Sequence, residues 1–246
     1  MRKFVDLHLR PSINDLGQVE KMVKRSSDLG YRLVGVPLPH NIKGERVHQL
    51  KTICERVEVD LVTRIDLVPK TSGELLRNLQ RFRRRFEIIS VTCNSKSVAR
   101  QAAKDRRVDL MAFSMGFPCK RFFDNAEAEL ASRAEGALEI DMASLLFLNS
   151  FPRIRLLSSL RREVSIAEKF EVPIVITSGA TEVNLLRRPH DCAALATLFD
   201  LSMSVALRGL SENPSGIVER NRKKLSSGYV APGLFVVRDV KPCLGV

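Results

Sequence analysis

Polar and apolar positions follow two alternating rhythms, short β-type runs and longer stretches at helical spacing. Phe4–Leu9 predicts a first strand, and residues 15–29, with Leu16, Val19, Val23 and Leu29, a first helix. Leu33–Val36 predicts a second strand stopped by Pro37, followed by a helix carrying Val47, Leu50, Cys54 and Val57. Residues 59–67 predict a third strand. In the third helix Thr71 and Glu74 have capping-box spacing, and Leu75, Leu79, Phe82 and Phe86 form the inner stripe. Ile88–Cys93 and Val108–Phe113 predict strands four and five around a helix over 95–104, and Asp124 with Glu127 caps a fifth helix to Ala134. Ala137–Met142 is the sixth strand, and a helix from about Pro152 places Leu157, Leu160, Val164 and Ala167 inward. Ile174–Thr177 is the seventh strand; Pro189 opens a helix with Ala193, Ala196 and Phe199 along it, and Met203–Leu207 predicts strand eight. Asn213-Pro214 starts an eighth helix with Ile217, Asn221 and Leu225 inward. From about Tyr229 a short tail or extra strand remains.

Eight strand–helix units in one chain of 246 residues, with no Gly/Ser/Pro-rich linker, predict a single TIM-like (β/α)8 barrel over 1–246. A doubly wound sheet satisfies the same periodicity, which does not report closure. In a barrel, the C-terminal strand ends carry the chemistry. Those positions are Asp6, His8, His40, Arg64, Asp66, Cys93, Asn94, Ser114, Asp141, Ser178 and Arg208, a polar group of mixed charge. Segment 143–151, ASLLFLNSF, is more apolar than a surface loop, and fits either a helix start or a docking surface.

Charge changes the picture. Forty Lys and Arg against 28 Asp and Glu give +12, which favours a polyanionic partner. Trp is absent and Tyr occurs twice, so a large base-stacking surface is unavailable, although 12 Phe remain. The start, MRKFVDLHLRPS, meets Asp6 and Arg10 before an apolar run develops, and no stretch approaches membrane-spanning length. Five dispersed cysteines without a CxxC pair argue against a disulfide framework or a four-cysteine zinc site. The expected location is a reducing cytoplasm, without membrane attachment.

Enzymatic motifs are sparse. Asp6 and His8 are two apart on a strand, and with His40 they are candidate metal ligands of a phosphoesterase, Asp66 or Asp141 supplying more. Four histidines in all, with His48 and His190 placed in helices, limit such a site, and hydrogen bonding at a strand end is the plainer explanation. No GxGxxG, P-loop or GxSxG occurs. Ser178-Gly179-Ala180 suits a phosphate, but a tight turn explains it better, and nothing local supports a Ser178–His8–Asp141 triad. Cys93 and Cys119 lack an activating partner.

Basic clusters carry more information. Arg81, Arg84 and Arg85, with Arg77, lie outward on helix three. Further clusters are Lys104, Arg106 and Arg107; Lys120 and Arg121; Arg153 and Arg155; Arg161 and Arg162; Arg187 and Arg188; and Arg220, Arg222, Lys223 and Lys224. Arg forks match phosphate oxygens, so at least one cluster is expected to contact a phosphate backbone. Without a zinc finger, basic zipper or helix-turn-helix, shape recognition of folded RNA fits better than DNA reading.

The opening FVDLHLRPS, the run IVITSGATEVNLLRRPHDCAALATLFDLS, the segment LSENPSGIVERNRKK and the spacing of the units resemble the 30-kDa-class protein subunit of ribonuclease P, in its archaeal form. The resemblance spans almost the whole chain. It implies a TIM-barrel-like fold and a noncatalytic, RNA-binding role in the ribonucleoprotein that removes the 5′ leader from precursor tRNA. The RNA of that enzyme carries the catalytic centre with magnesium; the implied partners are that RNA, precursor tRNA and a smaller protein subunit, in a two-plus-two assembly. No cofactor is implied for the chain itself. The family is also similar to barrel phosphoesterases of the polymerase and histidinol phosphatase type, which begin with a metal-binding His-x-His strand. Here Asp6 stands in the first place, and the late Asp-x-His motif of those enzymes is missing, so Asp6, His8 and His40 are expected to be remnants. The expected RNA contacts are Arg81, Arg84 and Arg85 on helix three, Arg222, Lys223 and Lys224 on helix eight, and Arg64, Arg187, Arg188 and Arg208 near the barrel top.

Overall fold

Apolar strands need cover on both faces, and the chain supplies it by placing a helix after nearly every strand. In the computed structural model, which describes residues 2–113, 121–231 and 234–235, the order begins β1 (Phe4–Asp6), α1 (Leu16–Asp28), β2 (Tyr31–Pro37), α2 (Gly44–Glu55) and β3 (Asp60–Leu67). It continues with α3 (Ser72–Phe82), β4 (Ile88–Thr92), α4 (Lys96–Lys104), β5 (Leu110–Ala112), α5 (Asn125–Ala134) and β6 (Ala137–Asp141). Then follow α6 (Ala143–Phe147), α7 (Ser150–Lys169), β7 (Ile174–Thr177), α8 (Pro189–Ala196), α9 (Met203–Gly209) and α10 (Glu212–Leu225). Two short strands, β8 (Tyr229–Ala231) and β9 (Leu234–Phe235), pair antiparallel after α10.

Strands β1 to β7 form one parallel sheet in sequential order, a near-closed TIM-like barrel of seven strands. Met203–Leu207 is a helix, not the eighth strand. Five apolar-alternating residues satisfy either period. The Ser202 side chain accepts from the Val205 amide at 3.4 Å, which caps a helix start, and Ala206 and Gly209 are buried at its inner side. The seam between β1 and β7 is closed without a strand. The Val5 amide donates to Leu210 O at 2.8 Å, the Asn213 side-chain amide to Ile174 O at 2.8 Å, and the Arg10 amide to Ala180 O at 2.8 Å.

Caps that the residue pattern predicts are formed: Thr71 accepts from the Glu74 amide at 3.2 Å and Asp124 from the Ala126 amide at 2.9 Å. Asp124 also accepts from the Glu127 amide at 3.3 Å, as the spacing predicts, while the Glu127 side chain is fully buried and accepts from the Arg100 Nε at 2.7 Å. The long helix begins at Ser150; Leu156 is fully buried, and Leu157 packs partly buried against the core. Segment 143–151 spans α6 and the start of α7 and leaves Phe147 and Phe151 exposed.

Two apolar layers result. The larger lies between sheet and helices. The smaller is inside the barrel, where Val5, Leu7, Leu33, Val62, Ile88, Leu110, Ala137 and Val175 meet Ile217 and Val218 of α10. Helix α10 therefore plugs the barrel at the strand starts. Asn221 fastens it through bonds of 2.8 Å to Glu87 O and 2.8 Å to Asp109 Oδ1. Leu225, expected inward, is only partly covered.

Candidate functional site

Above the apolar plug the barrel interior turns polar. Residues at period two on β3 place Val62, Arg64 and Asp66 on the inner face, and the same period on β6 places Ala137, Glu139 and Asp141 there. Arg64 is only 1% exposed. Its Nη1 and Nη2 meet Glu139 Oε1 and Oε2 at 2.6 and 2.9 Å, and its Nε meets Asp66 Oδ1 at 2.6 Å. Nη1 also donates to Leu7 O at 3.0 Å. Gly35 permits that approach: a Cβ there would lie 2.5 Å from Leu7 O. Ser90 and Thr177 complete the shell of Glu139, donating to its oxygens at 2.8 and 3.1 Å.

His8 enters this network. Its Nε2 is 3.2 Å from Asp66 Oδ2, and its Nδ1 is 3.5 Å from both Glu139 Oε1 and Asp141 Oδ2. Burial and Arg64 disfavour the imidazolium, but Asp141, Asp66 and Glu139 outweigh them and push its pKa up to about 9. Burial also opposes ionisation of Asp66, yet Arg64 and His8 hold that carboxyl well below its ordinary range. The mouth thus contains two cations already surrounded by carboxylates.

Asp6 is held apart from this set. Strand β1 ends at Asp6, so the period that would put Asp6 and His8 on one face stops there. The Asp6 oxygens accept from the Ser178 amide at 2.9 Å, the Ser178 Oγ at 2.5 Å and the His8 amide at 3.1 Å. Burial pushes the Asp6 carboxyl up, against those bonds. His40 is exposed and packs 6.0 Å from the Phe82 ring. The residues read as possible metal ligands therefore have separate engagements. A divalent cation among Asp66, Glu139 and Asp141 would meet the Arg64 guanidinium, which already engages both Glu139 oxygens and Asp66 Oδ1, so the residues present do not fit one. Ser178-Gly179-Ala180 is an irregular segment after β7 in the seam, with Gly179 at φ +60 and the Ala180 amide donating to Ser178 Oγ at 3.1 Å.

The predicted RNA contacts separate into groups. Arg64 is corrected: it is a buried structural cation, not a surface contact. Arg81, Arg84 and Arg85 are exposed at the end of α3 and just after it, with Arg81 5.2 Å over Phe82 and Arg85 5.8 Å over Phe86. Arg187 and Arg188 are not at the barrel top. Residues 183–188 return to the strand-start end, where Arg187 O accepts from the Tyr31 hydroxyl at 3.2 Å and Arg188 lines a cleft with Phe4 and Arg32. Arg208 is also at that end, because its segment is helical; it lines a cleft with Pro173 and Asn213. Arg222 is committed to structure, with bonds of 2.5 and 2.9 Å to Asp60 and 2.6 Å to Glu87. Lys223 and Lys224 are exposed beside it. Arg121, from another predicted cluster, is buried against Glu163, with Nε to Oε1 at 2.7 Å.

Sequence reasoning missed Glu139. A lone carboxylate at an inward position of an otherwise apolar strand, ALEID, was its signal, as was the lone arginine of β3. Ser114, Lys120, Cys119 and Cys243 lie outside the described residues. Cys54, Cys93 and Cys192 are buried free thiols, and burial pushes Cys54 and Cys192 up to about 12, leaving them unreactive. Among the described residues no helix is long and apolar enough to cross a membrane.

Comparisons with known proteins agree with this geometry. The family model described as RNase P subunit p30 matches residues 3–226. A ribonuclease P protein component 3 of Methanococcoides burtonii is 25% identical over 245 residues, covering 99% of this chain and 98% of that one. A chain in a cryo-EM structure of archaeal ribonuclease P with mature tRNA superposes with TM-score 0.83 at 20% identity, covering 96% of this chain and 99% of that one. The histidinol phosphate phosphatase of Lactococcus lactis, solved with zinc, L-histidinol and phosphate, shares the fold at TM-score 0.52 and 8% identity, over 89% of this chain and 94% of that one.

Proposed function

The chain belongs to the RNase P subunit p30 family, and from that premise we propose that it acts as a noncatalytic, RNA-binding subunit of archaeal ribonuclease P. In this reading it helps the catalytic RNA fold and position precursor tRNA for magnesium-dependent removal of the 5′ leader. The magnesium belongs to the RNA, and this chain brings no cofactor. Its partners are that RNA, precursor tRNA and a smaller protein subunit, in a two-plus-two assembly.

One observation carries the noncatalytic part. The acidic groups of the barrel mouth are engaged by the Arg64 guanidinium, bidentate on Glu139, and by His8. Engagement of that kind supports a structural role for these groups over a metal-binding or proton-transfer one. The basic exterior supports the RNA-binding part: with +12 overall, lysines and arginines offset phosphate repulsion and release counterions as RNA segments approach.

The test is precursor tRNA cleavage in magnesium, using the ribonuclease P RNA and the other protein subunits with this chain present or omitted, and this chain alone. Activity that requires the RNA and falls on omission of this chain supports the reading. Metal-dependent cleavage by the chain alone, abolished by His8→Ala, would instead establish a free-standing phosphoesterase.

A further inference from the structure

Three basic clusters far apart in sequence converge at the strand-start end of the barrel. The turn after α3 brings Arg83 and Arg84, the turn after α4 brings Arg106 and Arg107, and the last turn of α10 brings Lys224. They line one cleft of about 500 Å³, beside the Tyr229 side chain.

The five cations are not equivalent. Arg83 is tied down by Asp109 at 2.5 Å and by Glu87 O at 2.9 Å, and Arg107 is bidentate on Asp105 at 2.9 and 2.7 Å. Those pairs engage Asp109 and Asp105, and Glu135, which also acts on Lys224, is paired with Arg220 at 3.1 Å. Arg84, Arg106 and Lys224 are exposed and make no ion pair among the described residues. A basic surface that merely kept the protein soluble would not need to gather unpaired cations from three segments into a concavity, where they repel one another.

We infer that this cleft is the site at which the protein holds RNA phosphodiesters, with Arg84, Arg106 and Lys224 as the contacts; the inference rests on the RNA-binding reading above and gives it a location. Arg83 and Arg107 are positioning residues, since their ion pairs fix the two turns from which Arg84 and Arg106 project. The barrel mouth at the opposite end is lined by Asp66, Glu139 and Asp141 and is unsuited to phosphate. Burial, then Arg220, pushes the Lys224 ammonium down from its ordinary value, a strain that a bound anion relieves. The C-terminal end of a helix disfavours anions, and the concentration of Arg222, Lys223 and Lys224 in that last turn offsets this.

The experiment compares two charge-matched triple variants of the full chain. One is Arg84→Ala, Arg106→Ala and Lys224→Ala. The other removes exposed cations of α1, Lys21→Ala, Lys24→Ala and Arg25→Ala. Binding to ribonuclease P RNA is measured by anisotropy across a salt series, with circular-dichroism melting as the folding control. The cleft variant is expected to bind about ten-fold or more weakly and to reduce the log–log salt slope by about 2, as loss of several phosphate contacts requires. The α1 variant is expected to bind within about two-fold of wild type if the contacts are local. Arginine-to-lysine replacement at Arg84 and Arg106 is expected to restore most of the affinity. Equal losses in the two triples, or wild-type binding by the cleft variant, overturn the cleft while leaving RNA binding intact. Absence of RNA binding by the wild type overturns the RNA-binding reading itself.

Discussion

Replacing Arg64 by Met tests the central claim that the barrel mouth is a structural charge network. The side chain is of similar length and apolar, so the perturbation is electrostatic more than steric. It removes two bonds to Glu139, one to Asp66 and one to Leu7 O, at 2.6 to 3.0 Å. Glu139 is 1% exposed at its side chain and keeps only Ser90, Thr177 and the more distant His8. Bonds to charged groups contribute about 1.5–3 kcal/mol each but are not additive, and breaking one partner of a buried pair costs about 3–5 kcal/mol. We expect a loss of about 4 kcal/mol, which for a chain of this size lowers Tm by about 8–16 °C. With no Trp in the sequence, circular dichroism in urea is the direct assay. The sign of the pH dependence follows from the same charges. In the wild type Asp66 has a depressed pKa, so its contribution is present above the unfolded carboxylate value and lost on acidification. Without Arg64 only His8 is left to depress it, so the deficit of the variant is full at neutrality and narrows as the pH falls below about 4, the unfolded carboxylate value. Adding Glu139→Gln to Arg64→Met is expected to recover about 1–3 kcal/mol, because the stranded carboxylate is neutralised. A loss below about 1 kcal/mol, or a double variant less stable than the single one by the full cost of Glu139→Gln, would refute the network.

Two further outcomes follow from the same region. His8 has a folded-state pKa raised to about 9 from 6.5, in contact with Asp66, Glu139 and Asp141 and opposed by Arg64. Its contribution is therefore complete below about 6.5 and lost as the pH rises through about 9; urea midpoints are expected to fall between pH 6.5 and 9.5, and His8→Gln to flatten that slope. Gly35→Ala places a Cβ 2.5 Å from the Leu7 backbone oxygen and is expected to cost about 1–3 kcal/mol in urea unfolding; an unchanged midpoint would show that the chain just after β1 does not press on β2 there.

The strands, most helices and several caps were legible because each is a local property. Thr71 before Leu75, Leu79 and Phe82 states both a helix start and its buried face. Met203–Leu207 was misread because five residues carry too little periodicity to distinguish a strand from a helix. Arg222 and Arg121 were misplaced for a different reason. A basic residue beside other basic residues reads as exposed, while its acidic partner, Asp60 or Glu163, lies far away in the chain.

What the sequence by itself determined is therefore the alternation of strand and helix, the parallel barrel-like class, the net positive charge and the family resemblance, all of them local or summed properties. Tertiary structure decided the rest, because it depends on which distant residues meet. Seven strands close through a turn and side-chain bonds. A helix rather than a solvent cavity fills the strand-start end. Arg64 reaches Glu139 and leaves the surface, whereas Arg84, Arg106 and Lys224 reach one another's cleft without a carboxylate between them. Like charges repel in any chain; only the fold determines which of them are held close, and which are neutralised.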